Sequence, residues 1–136
     1  ILPDGRKIIS YRNGTIKEIE TSGETYVKFI NGDTKWSSSN NDEIIYYYYD
    51  AKTKHITYQS SGINIYEFHN QQIEKHYPNG KKEIQWPDGT LKIIYKDGKQ
   101  KTTFPDNITV IDNIDGTREV LTPHGYEGQG EGEDQR

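Results

Sequence analysis

The sequence predicts an all-β fold, a single-layer antiparallel meander of about a dozen short strands with a nine-residue repeat and both faces open to solvent. Three observations predict it. Glycine recurs every nine residues, at Gly5, Gly14, Gly23 and Gly32, then on a second lattice at Gly62, Gly80, Gly89, Gly98, Gly116 and Gly125, whose vacant places hold Gln71 and Asn107. All five prolines, Pro3, Pro78, Pro87, Pro105 and Pro123, stand two residues before a lattice position. Composition supplies the third: hydrophobic residues are only 30% of the chain and mean hydropathy is −1.02, too little apolar side chain for a two-layer core. Yet 11 Tyr, 3 Phe and 2 Trp accompany many Ile and Thr, residues that favour strands over disorder.

The repeat is clearest in Glu74–Lys92, where Pro78-Asn79-Gly80 and Pro87-Asp88-Gly89 bracket the strand-like Lys81–Trp86. Asn-Gly and Asp-Gly are hairpin signals because both residues tolerate unusual backbone angles. Nine residues accommodate one strand and its turn, so a repeat this short reads as a β-repeat architecture. The predicted strands are 6–12, 15–21, 24–30, 33–39, 43–49, 55–60, 63–69, 72–78, 81–87, 90–96, 99–105, 108–114 and 117–122. The beat fails between Gly32 and Gly62, where Ser37–Asp42 and Asp50–Lys54 are longer polar turns. Between them Ile44–Tyr49 is apolar or aromatic at every position, so both faces of that strand are aromatic. Residues 1–126 form the expected repeat domain, and the Gly/Glu-rich 127–136 reads as a flexible tail.

Turn type decides which residues share a face. Two-residue turns would put Trp86 opposite Leu91 and Ile84 opposite Ile93. One face would then carry Ile9, Tyr11, Val27, Phe29, Trp36, Tyr66, Phe68, Ile73, Tyr77, Ile84, Trp86, Ile93, Tyr95 and Phe104. A type I turn followed by a glycine bulge would instead set Trp86 against Thr90 and Ile84 against Lys92. Pairing apolar with apolar favours the first register.

Several function classes are disfavoured. Net charge is −4, with Lys+Arg 17 against Asp+Glu 21, where nucleic acid calls for a basic face. Lys81, Lys82, Lys92, Lys96, Lys99 and Lys101 interleave with acids and read as a solvated, aggregation-resistant surface. The chain has no Cys, and His55, His69, His76 and His124 have no metal-ligand spacing. No cofactor and no metal are expected. No long apolar run suggests a signal peptide or membrane span, so a soluble intracellular fragment is the plain reading. A flat sheet lacks the enclosed site that catalysis requires, and no enzyme is expected.

The runs GTIKEI (14–19), FINGDTKW (29–36), IIYYYYDAKTKHITY (44–58) and QIEKHYPNGKKEIQWPDGTLK (72–92) resemble the T-complex-protein-ten C-terminal domain, or G-box, of CPAP-like centriolar scaffold proteins. The resemblance covers most of residues 3–122. It implies a free-standing single sheet placed at the centrosome or centriole. It also implies a role in centriole assembly, binding a proline-rich, arginine-containing segment of a STIL-class centriole-duplication protein, and possible end-to-end association. By position it implies Phe29 and Tyr46 as peptide-contacting aromatics and Glu74 as a contacting glutamate. Gln71 stands where that family commonly has glycine, which predicts a looser turn or one of another type.

The peptide-binding surface expected from these residues is Phe29, Trp36, Tyr46, Tyr48, Tyr58, Tyr66, Glu67 and Glu74. Cross-strand packing alone would explain any one aromatic. A cluster of them suits a polyproline II ligand, which is already ordered and loses little entropy on docking. A turn at Asn70-Gln71 would place Glu67 opposite Glu74, a like-charge pair that a ligand arginine would relieve. Paired carboxylates also occur in glycosidases, which need a concave site. Two other readings are an architectural module that pairs head to tail through edge strands and a carbohydrate-binding surface repeat.

Overall fold

A computed structural model describes the backbone of residues 1–123 and 125–129 and the side chains of residues 1–123. Of the expected tail 127–136, residues 130–136 lie outside the described residues, as does His124, while 127–129 belong to a strand over Gly125–Gln129. The fold is all-β, an open antiparallel meander whose strand order is the chain order, with no helix among the described residues.

The chain divides into two compact units. The first, Ile1–His69, holds β1 (Lys7–Ser10), β2 (Ile16–Ile19), β3 (Thr25–Lys28), β4 (Thr34–Ser37), β5 (Glu43–Tyr48), β6 (Thr53–Tyr58) and β7 (Ile63–Glu67). The second begins at Asn70 and holds β8 (Ile73–His76), β9 (Lys82–Gln85), β10 (Leu91–Ile94), β11 (Gln100–Thr103), β12 (Thr109–Asp112), β13 (Arg118–Thr122) and β14 (Gly125–Gln129). Within each unit a strand touches only its neighbours in sequence, so among the described residues no second layer covers either face. The buried apolar side chains are Val110 and Val120, which lie directly opposite each other on β12 and β13. No large side chain among the described residues is fully buried. Cross-strand pairs, each contributing roughly 0.2–1 kcal/mol, take the place of a core.

The strands of the regular repeat are shorter than predicted because each repeat turn takes five residues. At Trp86-Pro87-Asp88-Gly89-Thr90 the Gly89 N–H donates to the Trp86 carbonyl (3.0 Å), and the Trp86 N–H donates to the Thr90 carbonyl (2.9 Å). Gly89 has φ +95, which an L-residue adopts only with strain. This is a type I turn closed by a glycine bulge. The Asp88 carboxylate accepts the Thr90 N–H at 2.8 Å. Asn79 and Asp97 do the same for Lys81 and Lys99, which explains why Asn or Asp precedes the repeat glycine. Gln71 keeps this turn rather than a looser one: its φ is +73, and the Gln72 N–H donates to Asn70 Oδ1 at 2.9 Å.

This turn overturns the favoured register. Ile84 lies opposite Lys92, and Leu91 opposite Gln85, so Trp86 faces Thr90 rather than Leu91. A two-residue hairpin turn needs φ > 0 at its first central residue (type II′) or at both (type I′), and here Gly89 has it and Asp88 does not. The continuous aromatic face of the sequence reading therefore splits. In the second unit Ile84 and Trp86 take one face, while Ile73, Ile93 and Tyr95 take the other.

Candidate functional site

In the first unit the irregular turns determine the site. Six residues, 38–43, separate the paired Ser37 and Ile44, one more than the five of the preceding repeat turn, so odd positions of β4 face even positions of β5: Lys35 opposes Tyr46 and Trp36 opposes Ile45. Trp36 and Tyr46, both even-numbered, consequently lie on opposite faces.

One face carries Tyr46 opposite His55, and His55 opposite Tyr66, on β5, β6 and β7. Phe29 stands 5.7 Å from Tyr46 between ring centroids, Tyr48 stands 4.5 Å from Tyr46, and His55 stacks on Tyr66 at 4.3 Å. Phe68 extends the row, 6.3 Å from Tyr66 and nearly parallel to it. The other face carries Trp36, Ile45, Ile56 and Ile65 in a row of directly opposed residues, with Tyr47, Tyr58 and Ile63 beside it. We call these the aromatic face and the isoleucine face.

Of the expected contacts, the structure brings Phe29, Tyr46, Tyr48 and Tyr66 together on the aromatic face. Trp36, Tyr58 and Glu67 lie on the isoleucine face. There the Trp36 indole N–H donates to Glu24 (3.2 Å), the Tyr58 hydroxyl reaches Glu43 (3.5 Å), and Glu67 lies 3.9 Å from the Lys54 ammonium. Glu74 belongs to the second unit, opposite Ile84 on β9. Its carboxylate accepts the Gln72 side-chain amide at 3.0 Å and lies 3.1 Å from His76 Nε2.

Three residues of the aromatic face were not among the expected contacts: Asp33, His55 and Phe68. Asp33 is 8% exposed and anchors the tyrosine strand. Its carboxylate accepts the Tyr46 hydroxyl and the Tyr49 N–H, both at 2.8 Å, and the Asn31 side-chain amide at 3.2 Å. The Tyr49 N–H and then the Tyr46 hydroxyl hold the Asp33 carboxyl below its usual pKa. Burial, reinforced by the bond to Asp33, pushes the Tyr46 phenol up to about 12. Tyr46 is thus a neutral donor with a fixed ring. His55 is held in plane by Asn64 Oδ1 at 2.8 Å. Asp33 follows the repeat glycine, a position filled elsewhere by Arg6, Thr15 and Glu24, so no pattern marks it. His55 and Phe68 carry a signal in their alternation with Tyr66 once the register is known.

A rigid row of rings, half-buried and uncovered, offers flat apolar contact, with backbone and side-chain polar groups at its rim. Among the described residues no cluster of three or more His, Asp or Glu is arranged to hold a metal.

A sequence profile of the family T-complex protein 10 C-terminus matches residues 78–111. Centrosomal P4.1-associated protein from Mus musculus is 40% identical over 78 residues, which are 57% of this chain and 6% of that protein. The Homo sapiens protein is 41% identical over 77 residues, 56% of this chain and again 6% of that protein. The chain thus spans about 6% of the length of the curated relatives it matches. A solved CPAP G-box domain superposes with a TM-score of 0.84 at 38% identity, covering 89% of this chain and 78% of that one. The TCP10 domain of Danio rerio CPAP, solved with a STIL peptide, gives 0.77 at 38% identity, covering 92% and 68%. The SAS-4 TCP domain of Drosophila melanogaster, solved with a proline-rich motif of Ana2, gives 0.89 at 27% identity, covering 96% and 86%. With its meander, its glycine-bulge turns and 38% identity to a domain of which it covers 78%, this chain belongs to the T-complex protein 10 C-terminal family, the TCP10 or G-box domains of CPAP.

Proposed function

We propose that this chain is a non-enzymatic scaffold module that captures a proline-rich, arginine-containing segment of a STIL-class partner at the centriole. The observation that carries the proposal is the row Phe29, Tyr46, His55, Tyr66 and Phe68, ordered by stacking and by the Asp33 anchor. Polyproline II segments seat their rings against such rows, and the preformed ligand limits the entropy lost on binding. Tyr46 and Tyr66 stand two strands apart, ~9.6 Å at ~4.8 Å per strand. One polyproline II turn, three residues at ~3.1 Å, spans ~9.3 Å. Prolines three residues apart can therefore meet successive tyrosines. The STIL and Ana2 peptides bound to the Danio and Drosophila domains add support from relatives. Glu74 is the proposed contact for the ligand's arginine, since a carboxylate can take a guanidinium through two bonds.

Calorimetric titration of a proline-rich STIL-type peptide tests the reading. Phe29→Ala and Tyr46→Ala should each weaken binding at least tenfold, as hot-spot aromatics do. Trp36→Ala, on the isoleucine face, should not. Absence of binding to the unaltered chain, or equal losses on both faces, would refute the assignment.

A second reading has one specific support: among the described residues β1 pairs with β2 alone, and an edge strand can template pairing with another chain. Light scattering across a concentration series would reveal head-to-tail growth, and a strict monomer at every concentration would exclude it.

A further inference from the structure

The aromatic row does not stop at β5. Tyr46 lies opposite Lys35 on β4, Lys35 opposite Val27 on β3, Val27 opposite Lys17 on β2, and Lys17 opposite Ile9 on β1. The same face thus passes from rings to lysines along one line across the strands. Tyr11, Lys17, Val27, Phe29 and Lys35 line a shallow depression of about 410 Å³ on it.

Charge is divided between the two faces of these strands. Lys7, Lys17 and Lys35 are on the aromatic face, while Glu18, Glu20 and Glu24 are on the isoleucine face with Arg6 and Lys28. The acid nearest these lysines on the aromatic face, Asp33, is already committed to Tyr46 and Tyr49. Neither Lys17 nor Lys35 takes part in an ion pair among the described residues. Both are half-buried, and a lysine can cover apolar surface with its stem while its ammonium stays in water.

We infer that this lysine strip receives acidic side chains flanking the proline-rich core of the same ligand, so that the site reads a composite motif of prolines followed on one side by carboxylates. The inference rests on the peptide-binding reading above. Its spacing follows from geometry. Lys35 lies one strand from Tyr46, ~4.8 Å, or about one and a half residues of a polyproline II segment. Lys17 lies two strands beyond Lys35, ~9.6 Å, close to one three-residue turn. The expected ligand therefore has an acid one or two positions from the proline seated on Tyr46 and a second acid three positions further on. The flexible lysine stems absorb the offset between the ligand's edges. Exposed pairs of this kind add little affinity singly but select register and direction, which a run of prolines on a row of rings does not.

Three synthetic peptides test this against the full chain by calorimetry at low ionic strength. One has the proline-rich core with Asn flanks; the others carry Asp at the stated positions on the N-terminal or the C-terminal side. One acidic peptide should bind roughly three- to tenfold tighter than the Asn peptide. That ratio should shrink in high salt, where exposed charges are screened, and fall to about one in Lys17→Gln/Lys35→Gln. If the Asn peptide binds but neither acidic peptide gains, or the gain survives in the double variant, the lysine-strip inference is overturned while the peptide-binding reading stands. If the Asn peptide itself fails to bind the unaltered chain, the peptide-binding reading falls and takes the inference with it.

Discussion

Replacing Gly32 with alanine should disturb the site more than the same change at any ordinary repeat glycine. Gly23 is the control, since it lies in the same unit with nearly the same φ, +96 against +97. Both substitutions force an L-residue into left-handed backbone, at a cost of about 1–2 kcal/mol. At Gly23 the added Cβ would meet Ser39 at 3.5 Å, an ordinary contact. At Gly32 it would meet the Tyr49 ring at 2.8 and 3.0 Å, well inside contact distance. Tyr49 is not free to withdraw as a whole, because its N–H is held by Asp33 and the Lys52 ammonium lies 4.7 Å from its ring. The ring is half exposed and can rotate, so the added overpacking should fall at the low end, about 1 kcal/mol. Urea unfolding followed by circular dichroism should therefore give a loss of ~2–3 kcal/mol for Gly32→Ala and ~1–2 kcal/mol for Gly23→Ala. Because Asp33 also holds the Tyr46 hydroxyl, Gly32→Ala should in addition weaken the proline-rich peptide, and Gly23→Ala should not. Equal stability losses in the two variants would refute the packing argument, and unchanged peptide affinity in Gly32→Ala would refute the Asp33 relay.

Other outcomes follow from the same geometry. Gln71→Gly should stabilise the chain by about 1 kcal/mol in urea unfolding, since a non-glycine residue at φ +73 carries strain that glycine removes. Tyr46 has a folded pKa raised to about 12, so its contribution is fully present below the unfolded value near 10 and is lost as pH rises from there toward 12. Ultraviolet titration should find the Tyr46 phenol ionising late, and Asp33→Asn should lower its pKa. Asp33 itself has a lowered pKa, so its contribution is present above the ordinary carboxylate range and is lost as pH falls through its folded value. Acid unfolding of Asp33→Asn should accordingly lack part of that limb. Glu74→Ala should weaken an arginine-containing peptide by about tenfold or more and leave a peptide with that arginine replaced by glutamine unaffected, as loss of a charge-assisted bond predicts.

Much of this could be read in the residues. The nine-residue beat, the absence of helix and the want of a core all follow from where Gly and Pro stand and from how little of the chain is apolar. Asn-Gly and Asp-Gly alone do not separate a two-residue turn from a type I turn with a glycine bulge, because both place glycine at positive φ. The prolines held the missing signal: a proline two residues before the lattice glycine suits the second position of a type I turn, with glycine at the fourth. Weighing apolar pairing above that turn chemistry led to the wrong register at Ile84 and to an aromatic face that does not exist as one surface.

The sequence by itself determined the meander, where its turns fall, its family and the strand in which aromatics crowd, since each depends on local chemistry repeated down the chain. Only the tertiary structure decided which of those aromatics meet. A strand alternates faces at every residue, so one extra residue between the paired Ser37 and Ile44 sends Trp36 to the opposite side from Tyr46. The Asp33 anchor and the lysine strip depend on the same cross-strand register. Each joins residues of separate strands whose juxtaposition no local pattern records.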